Sequence, residues 1–167
     1  MCVQILRGLI VAIFTVSFIA SSGVVFAGPF EDSMAAYDRG DYATALQLLR
    51  PLAEKGDEKA QNGLGAMYHN EKGVTQDFKA AVKWYRLAAV QGYTDAQVNL
   101  GAMYYEGEGV AEDFIRGYMW FSIAAAKGNP NAVNLRDDLS KYLIDEQILE
   151  AQAMAQKCKA SNYKQCD

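Results

Sequence analysis

Apolar residues return along this chain at the three-to-four-residue spacing of an amphipathic helix. In the segment opened by Asp41, the residues Tyr42, Ala45, Leu46, Leu48, Leu49, Leu52 and Ala53 fall on one side of a 3.6-residue period. A further helix is predicted around Lys59 to Asn70, with Ala60, Leu64, Met67 and Tyr68 on one face. The next has Ala81, Trp84, Tyr85, Ala88 and Ala89 as its packing stripe. Upstream, Met34, Ala35 and Tyr37 suggest only a partial helix over Glu31 to Arg39, stopped at Gly40. Downstream, Leu135, Leu139, Tyr142 and Leu143, then Ile148, Ala151 and Ala155, predict two more helices joined near Ile144-Asp145, with Asp145 as the N-cap. Pro51 lacks a backbone donor and presses on the carbonyl of Gln47, which predicts a bend. Gly73 and Gly109 fall in tight connections that call for positive φ, and Gly92 stands where a left-handed residue ends a helix. Asp77 and Asp113 are placed in the first helical turn, where a carboxylate complements the free N–H groups.

These elements are written twice. Ala60-Gln61 recurs as Ala96-Gln97, and Leu64-Gly65-Ala66-Met67-Tyr68 recurs unchanged as Leu100-Gly101-Ala102-Met103-Tyr104. Gly73-Val74, Asp77-Phe78, Trp84, Ala88-Ala89 and Gly92 return as Gly109-Val110, Asp113-Phe114, Trp120, Ala124-Ala125 and Gly128, a period of 36 residues. Such a period means stacked supersecondary units, each unable to bury its apolar face alone. The pattern begins before the full copies, since Asp41, Tyr42, Ala45, Ala53 and Gly56 lie on Asp77, Phe78, Ala81, Ala89 and Gly92. It decays after them, where Arg136 and Asp137 stand in the places of Leu and Gly. The prediction is an all-α protein with a single solenoid domain over residues 28–167. It comprises a partial repeat 34–59, repeats 60–95 and 96–131, and a degenerate repeat with a C-terminal cap over 132–167. Gln147, Glu150, Gln152, Gln156 and Lys157 give the last helix the polar outside that a solenoid end needs. Small alanines opposite Trp84 and Trp120 let neighbouring helices approach, so both tryptophans are expected inside.

Residues 1–27 differ from the rest. Arg7 is their single charge, an uncharged run from Gly8 to Ala27 follows, and Val25-Phe26-Ala27 ends it in the pattern a signal peptidase reads. A secretory leader cut after Ala27 is expected, the alternative being a retained anchor, since that run could just span a bilayer. Export places the protein in the periplasm or outside the cell, with no membrane association after cleavage. It also puts the two remaining cysteines, Cys158 and Cys166, where disulfides persist; bridging them requires the last helix to end and the tail to fold back. The formal net charge of −4 and the lack of Lys or Arg runs exclude a basic nucleic-acid-binding face.

Sites of chemistry are sparse. His69 is the only histidine, so any histidine-dependent nucleophile must use it, and a lone histidine on a helix surface is a weak general-base candidate. Ser161 and Lys164 have the Ser-x-x-Lys spacing of some serine hydrolases, but in a tail without a surrounding core. Glu106, Glu108, Glu112 and Asp113 gather carboxylates near one loop; a solvated loop and helix-start acids account for them better than a hard cation does. Gly107-Glu108-Gly109 lacks the lysine and spacing of a phosphate loop. The expectation is no catalytic residue, no metal and no cofactor.

The run Ala96-Gln97, Leu100-Gly101, Tyr104, Gly107-Glu108-Gly109-Val110, Asp113, Trp120, Ala124-Ala125, Lys127-Gly128 resembles the Sel-1-like repeat, a relative of the tetratricopeptide repeat. The match is specific in two units and extends more weakly over Asp41 to Asn131, with Glu71 standing where the second unit has Gly107. The resemblance implies a right-handed α/α superhelix and an adaptor role, often in exported bacterial proteins. It also raises a competing class, because cysteine-rich exported relatives are associated with β-lactam binding and hydrolysis. Those carry a cysteine pair in each repeat, and both full units here have none. Self-association of the short array is a third reading.

At about 100° per residue, the side of each unit's first helix opposite its packing face carries Asn62, Ala66 and His69, then Val98, Ala102 and Tyr105, then Asn134, Asp138 and Lys141. These residues are expected to line the concave wall, because they vary between units while the packing positions do not. Tyr105, aromatic and unneeded by the core on this reading, is the expected anchor for a protein or peptide partner.

Overall fold

The computed structural model describes residues 28–166; the expected leader lies outside them. Eight helices follow one another: α1 (Pro29–Asp38), α2 (Tyr42–Glu54), α3 (Glu58–His69), α4 (Phe78–Ala89), α5 (Thr94–Glu106), α6 (Phe114–Ala125), α7 (Pro130–Leu139) and α8 (Asp145–Ala160), with a 3-10 turn at Ser140–Tyr142. Each of the first six helices packs on the next, and α8 returns onto α6. No strand occurs among the described residues. Below, the first and second helices of a unit are its A and B helices, so that α3/α4 and α5/α6 are the two full hairpins.

Short-range chemistry sets the helix boundaries. The carboxylates of Asp41, Asp57, Asp77 and Asp113 accept from the backbone N–H three residues on, and the amide oxygen of Asn129 does the same for α7. Asp77 and Asp113 are therefore N-caps, one position ahead of the first turn. Gly56, Gly92 and Gly128 end the B helices at φ +98°, +90° and +87°. Asp145 is not the cap of α8 but its first residue. The preceding Ile144 is extended, and its N–H donates to the side chain of Gln147.

Packing follows the repeat. A Cβ placed on Gly65 would lie 2.5 Å from the ring of Tyr85, and one on Gly101 would lie 2.7 Å from the ring of Phe121. In both hairpins a glycine on helix A thus admits an aromatic ring of helix B. Between units, the buried amides of Gln61 and Gln97 each donate to the C-terminal end of the preceding B helix, at the carbonyls of Ala53 and Ala89, both at 3.1 Å. The glycines of the long loops, Gly73 and Gly109, have φ +73° and +71° and sit on the backbone that opens the preceding B helix, at Tyr42 and Phe78. Two apolar cores result. A smaller one is built on Ala36, Ala45, Leu49, Ala53, Ala60, Leu64 and Met67, and a larger one extends from Ala81 to Cys166.

Several elements differ from expectation. α1 is a complete ten-residue helix, begun by Pro29 and packed along α2, so the first hairpin is closed by a short turn at Gly40 rather than left partial. Trp120 is fully buried, whereas Trp84 is only half-buried beside the smaller core, with the Lys83 ammonium 5.6 Å above its ring. The difference lies in the neighbours: α6 carries α8 in addition to α5 and α7, and α4 has no such extra helix. The third unit keeps an A helix, α7, but its second helix lies against α6.

Cys158 and Cys166 are joined, with their Cα atoms 4.5 Å apart. The tail turns back through Asn162 and Tyr163, whose φ values are positive, and Lys127 lies 4.7 Å above the Tyr163 ring while donating to the carbonyl of Gly92.

Two stability measurements follow. Trp120→Ala should lower the urea-unfolding free energy by about 3–5 kcal/mol and Trp84→Ala by less than half as much; equal losses would contradict the packing difference. Cleaving the bridge, whose cysteines are eight residues apart, should cost about 2.5 kcal/mol from loop-closure entropy, measured as oxidised against reduced protein in urea.

Candidate functional site

The A helices α3, α5 and α7 supply the expected wall. α3 and α5 are tied side by side where the amide of Asn99 donates to the side-chain oxygen of Asn62 at 2.9 Å. Ala66 and Ala102, small and half-buried, leave the space beside this link shallow. At the end of α3, His69 Nε2 is 2.8 Å from Glu108 Oε2, and its ring meets the edge of Phe78 at 5.5 Å. The wall thus opens on a half-buried imidazole held on two sides.

Val98 does not belong to this wall. It is only 8% exposed and is part of the larger core. α3, between α2 and α4, buries five of its twelve residues, and α5, between α4 and α6, buries seven of its thirteen. A face open on α3 is therefore partly closed on α5. Tyr105 is likewise less independent than expected: it packs against the core with its ring 5.6 Å from that of Phe114, which in turn faces Tyr142 at 6.2 Å.

At the α7 end the three expected residues are exposed. Asp138 pairs with Lys141 at 2.7 Å, and that hydrogen bond and charge hold the Lys141 ammonium above its ordinary pKa. Tyr105 and Asp138, from different units, meet at a recess of about 120 Å³ floored by Phe121, Leu135 and Leu139. The nine predicted wall residues thus resolve into an apolar recess around Tyr105, a polar seam at Asn62 and His69, and one core residue.

A cluster that no single segment announces lies at the junction of α4, α5 and α6. The guanidinium carbons of Arg86 and Arg116 are each 6.0 Å from the centre of the Tyr104 ring, and Arg86 donates to its phenol oxygen at 2.5 Å. Asp113, besides capping α6, pairs with Arg116. Tyr104 repeats Tyr68, but Arg86 becomes Ser122 and Arg116 has Ala80 as its counterpart, so the repeat alignment offered no signal for it.

The nucleophile candidates are otherwise engaged. The Ser161 hydroxyl donates to the carbonyl of Cys158 and accepts from the N–H of Gln165, forming part of the tail turn. An open notch of about 620 Å³ lies at the start of α4, lined by Tyr68, Val74, Thr75, Gln76, Asp77, Phe78, Lys79 and Gly109. Its one carboxylate, Asp77, is the helix cap. Burial raises the Tyr85 phenol pKa far above its ordinary value, leaving it a neutral ring in the core. No described helix is long and apolar enough to cross a membrane.

Matched helical hairpins, stacked in register with one varied face, define a helical-repeat solenoid. The Sel1 repeat model matches residues 35–57, 58–93 and 94–129, and the chain belongs to the Sel1 repeat family. The family units begin at Glu58 and Thr94, the first residues of α3 and α5. The fold is similar to the crystal structure of a protective antigen present in uropathogenic Escherichia coli strains and displaying an SLR fold. That likeness has a TM-score of 0.75 and 30% identity over 82% of this chain and 32% of the antigen, so this chain spans about a third of the antigen's length. It is also similar to a Sel1 repeat protein from Oxalobacter formigenes, with a TM-score of 0.55 and 35% identity over 64% of this chain and 96% of that one. No curated protein matches the chain. Sel1 repeats are commonly protein–protein interaction scaffolds and typically non-catalytic.

Proposed function

We propose that this chain is an exported adaptor that holds a protein or extended peptide along the concave wall of α3, α5 and α7. The observation that supports this reading is the recess at Tyr105. Its roughly 120 Å³ is well below the about 300–1,000 Å³ of pockets that enclose small molecules, and suits one apolar side chain of a longer ligand. The rim is polar, with Asp138 and Lys141 on one side and the Asn62–Asn99 link and His69 further along. An apolar anchor point inside a polar border is how binding energy concentrates at such interfaces. The five residues lining the recess include no serine, cysteine or histidine, in keeping with binding rather than with the β-lactam-hydrolysing alternative.

A random peptide library panned on the protein should yield ligands with one large apolar residue. Their affinity should fall at least about tenfold in Tyr105→Ala, equivalent to about 1.4 kcal/mol, and also in Ala102→Arg, which obstructs the wall without touching the recess floor. Circular dichroism of both variants controls for folding. Undiminished binding in both, or saturable hydrolysis of a chromogenic β-lactam by the unaltered protein, would overturn the reading. For the exported state, N-terminal sequencing of the protein from its host should begin at Gly28; a start at Met1 would count against cleavage.

A further inference from the structure

We propose that His69, Glu106 and Glu108 form a binding site for a zinc-class divalent cation bridging the two full repeats. His69 is the last residue of α3 and Glu106 the last of α5, with Glu108 in the loop that follows. One ligand atom from each of the three lies within 4.8 Å of the others. The chain supplies these groups from two units, so a cation there would fasten α3 to the end of α5.

The geometry is close to what a zinc ion requires. With metal–ligand bonds of about 2.0–2.1 Å in a tetrahedron, ligand atoms stand about 3.3 Å apart. His69 Nε2 and Glu108 Oε2, now 2.8 Å apart, need to open by only a few tenths of an ångström. Glu106 must approach by about 1.5 Å, within reach of one rotamer change for an exposed glutamate. The imidazole is already aimed, because the Phe78 ring bears on it at 5.5 Å and Glu108 fixes its Nε2 edge. The donor set selects the ion. An imidazole with two carboxylates suits zinc and its neighbours, whereas calcium takes six to eight oxygens and magnesium keeps most of its water. Asp113, the acid that sequence alone would group with these glutamates, is engaged by the α6 N-terminus and Arg116.

The site also falls where the units differ. Positions 69, 70 and 72 of the first unit are His, Asn and Lys; their counterparts 105, 106 and 108 are Tyr, Glu and Glu; in the third unit 142 and 144 are Tyr and Ile. At the preceding junction Lys72 lies over the ring of Tyr42, 5.1 Å from its centre, and at the following one Tyr105 and Tyr142 both face Phe114. Of these three equivalent junctions, the middle one has an imidazole opposite two carboxylates. No competing thiolate is offered by the described fold, since Cys158 and Cys166 are joined.

Isothermal titration of chelator-treated protein with zinc chloride tests this. One ion per chain should bind saturably, raising the melting temperature, while magnesium and calcium chloride at the same concentration should give neither effect. His69→Gln and Glu108→Gln should each weaken zinc binding at least about tenfold, as should Glu106→Gln, which alters an exposed side chain and leaves the His69–Glu108 contact in place. Asp145→Asn with Glu146→Gln, at the start of α8, should bind as the unaltered protein does. Melting curves without zinc separate loss of the site from loss of fold. Absence of saturable zinc binding, or binding unchanged in Glu106→Gln and His69→Gln, would overturn the proposal.

Discussion

Everything in this fold depends on how closely the two helices of a hairpin can approach. At Gly65 and Gly101 the absence of a side chain lets the rings of Tyr85 and Phe121 sit where a Cβ would otherwise be. A methyl group there would push α3 off α4 or α5 off α6, because an aromatic ring wedged in a core has little room to yield. With that distance fixed, the alanines of the B helices, Ala81, Ala88, Ala89 and Ala124, are fully buried, and the hairpin becomes a rigid building block.

Stacking of the blocks uses a second, polar device. Gln61 and Gln97 reach from one unit into the end of the previous B helix and give a second donor to a carbonyl that already accepts from the N–H of Gly56 or Gly92. The two copies are not equivalent. Gln61 also accepts from Gln91, while the oxygen of Gln97 is buried without a partner, because Gln91's counterpart Lys127 reaches instead to Gly92 and over Tyr163. The disulfide-closed tail thus substitutes for a repeat contact at the end of the array. The third unit, where Gln gives way to Val133, has lost the device altogether and is held by α7 and α8 lying on α6.

Identity between the units builds the stack, and difference between them builds the surface. Held positions include the glycines, alanines and glutamines engaged in hairpin and inter-unit contacts. Where they are not, adjacent copies bring unlike groups together: His69 with Glu108, Tyr105 with Asp138, and Arg86 and Arg116 around the repeated Tyr104. A helical repeat offers this for physical reasons, since each side chain on an open face has its counterpart in the next unit as a neighbour.

The sequence by itself determined the helices, their order and the repeat, because those follow from local periodicity, capping carboxylates and glycines at positive φ, each contained within a few residues. It also marked which helix faces were to be packed and that Cys158 and Cys166 were the pair available for a bridge. Only the tertiary structure decided how much of each face stayed open. Val98 shares the register of Asn62, yet Val98 lies in the larger core while Asn62 stays half-buried. Trp84 and Trp120 are the same residue in the same place, and the return of α8 onto α6 makes one of them core and leaves the other at its edge. Burial is set by the number of neighbours a helix acquires, and no repeat carries that number within its own residues.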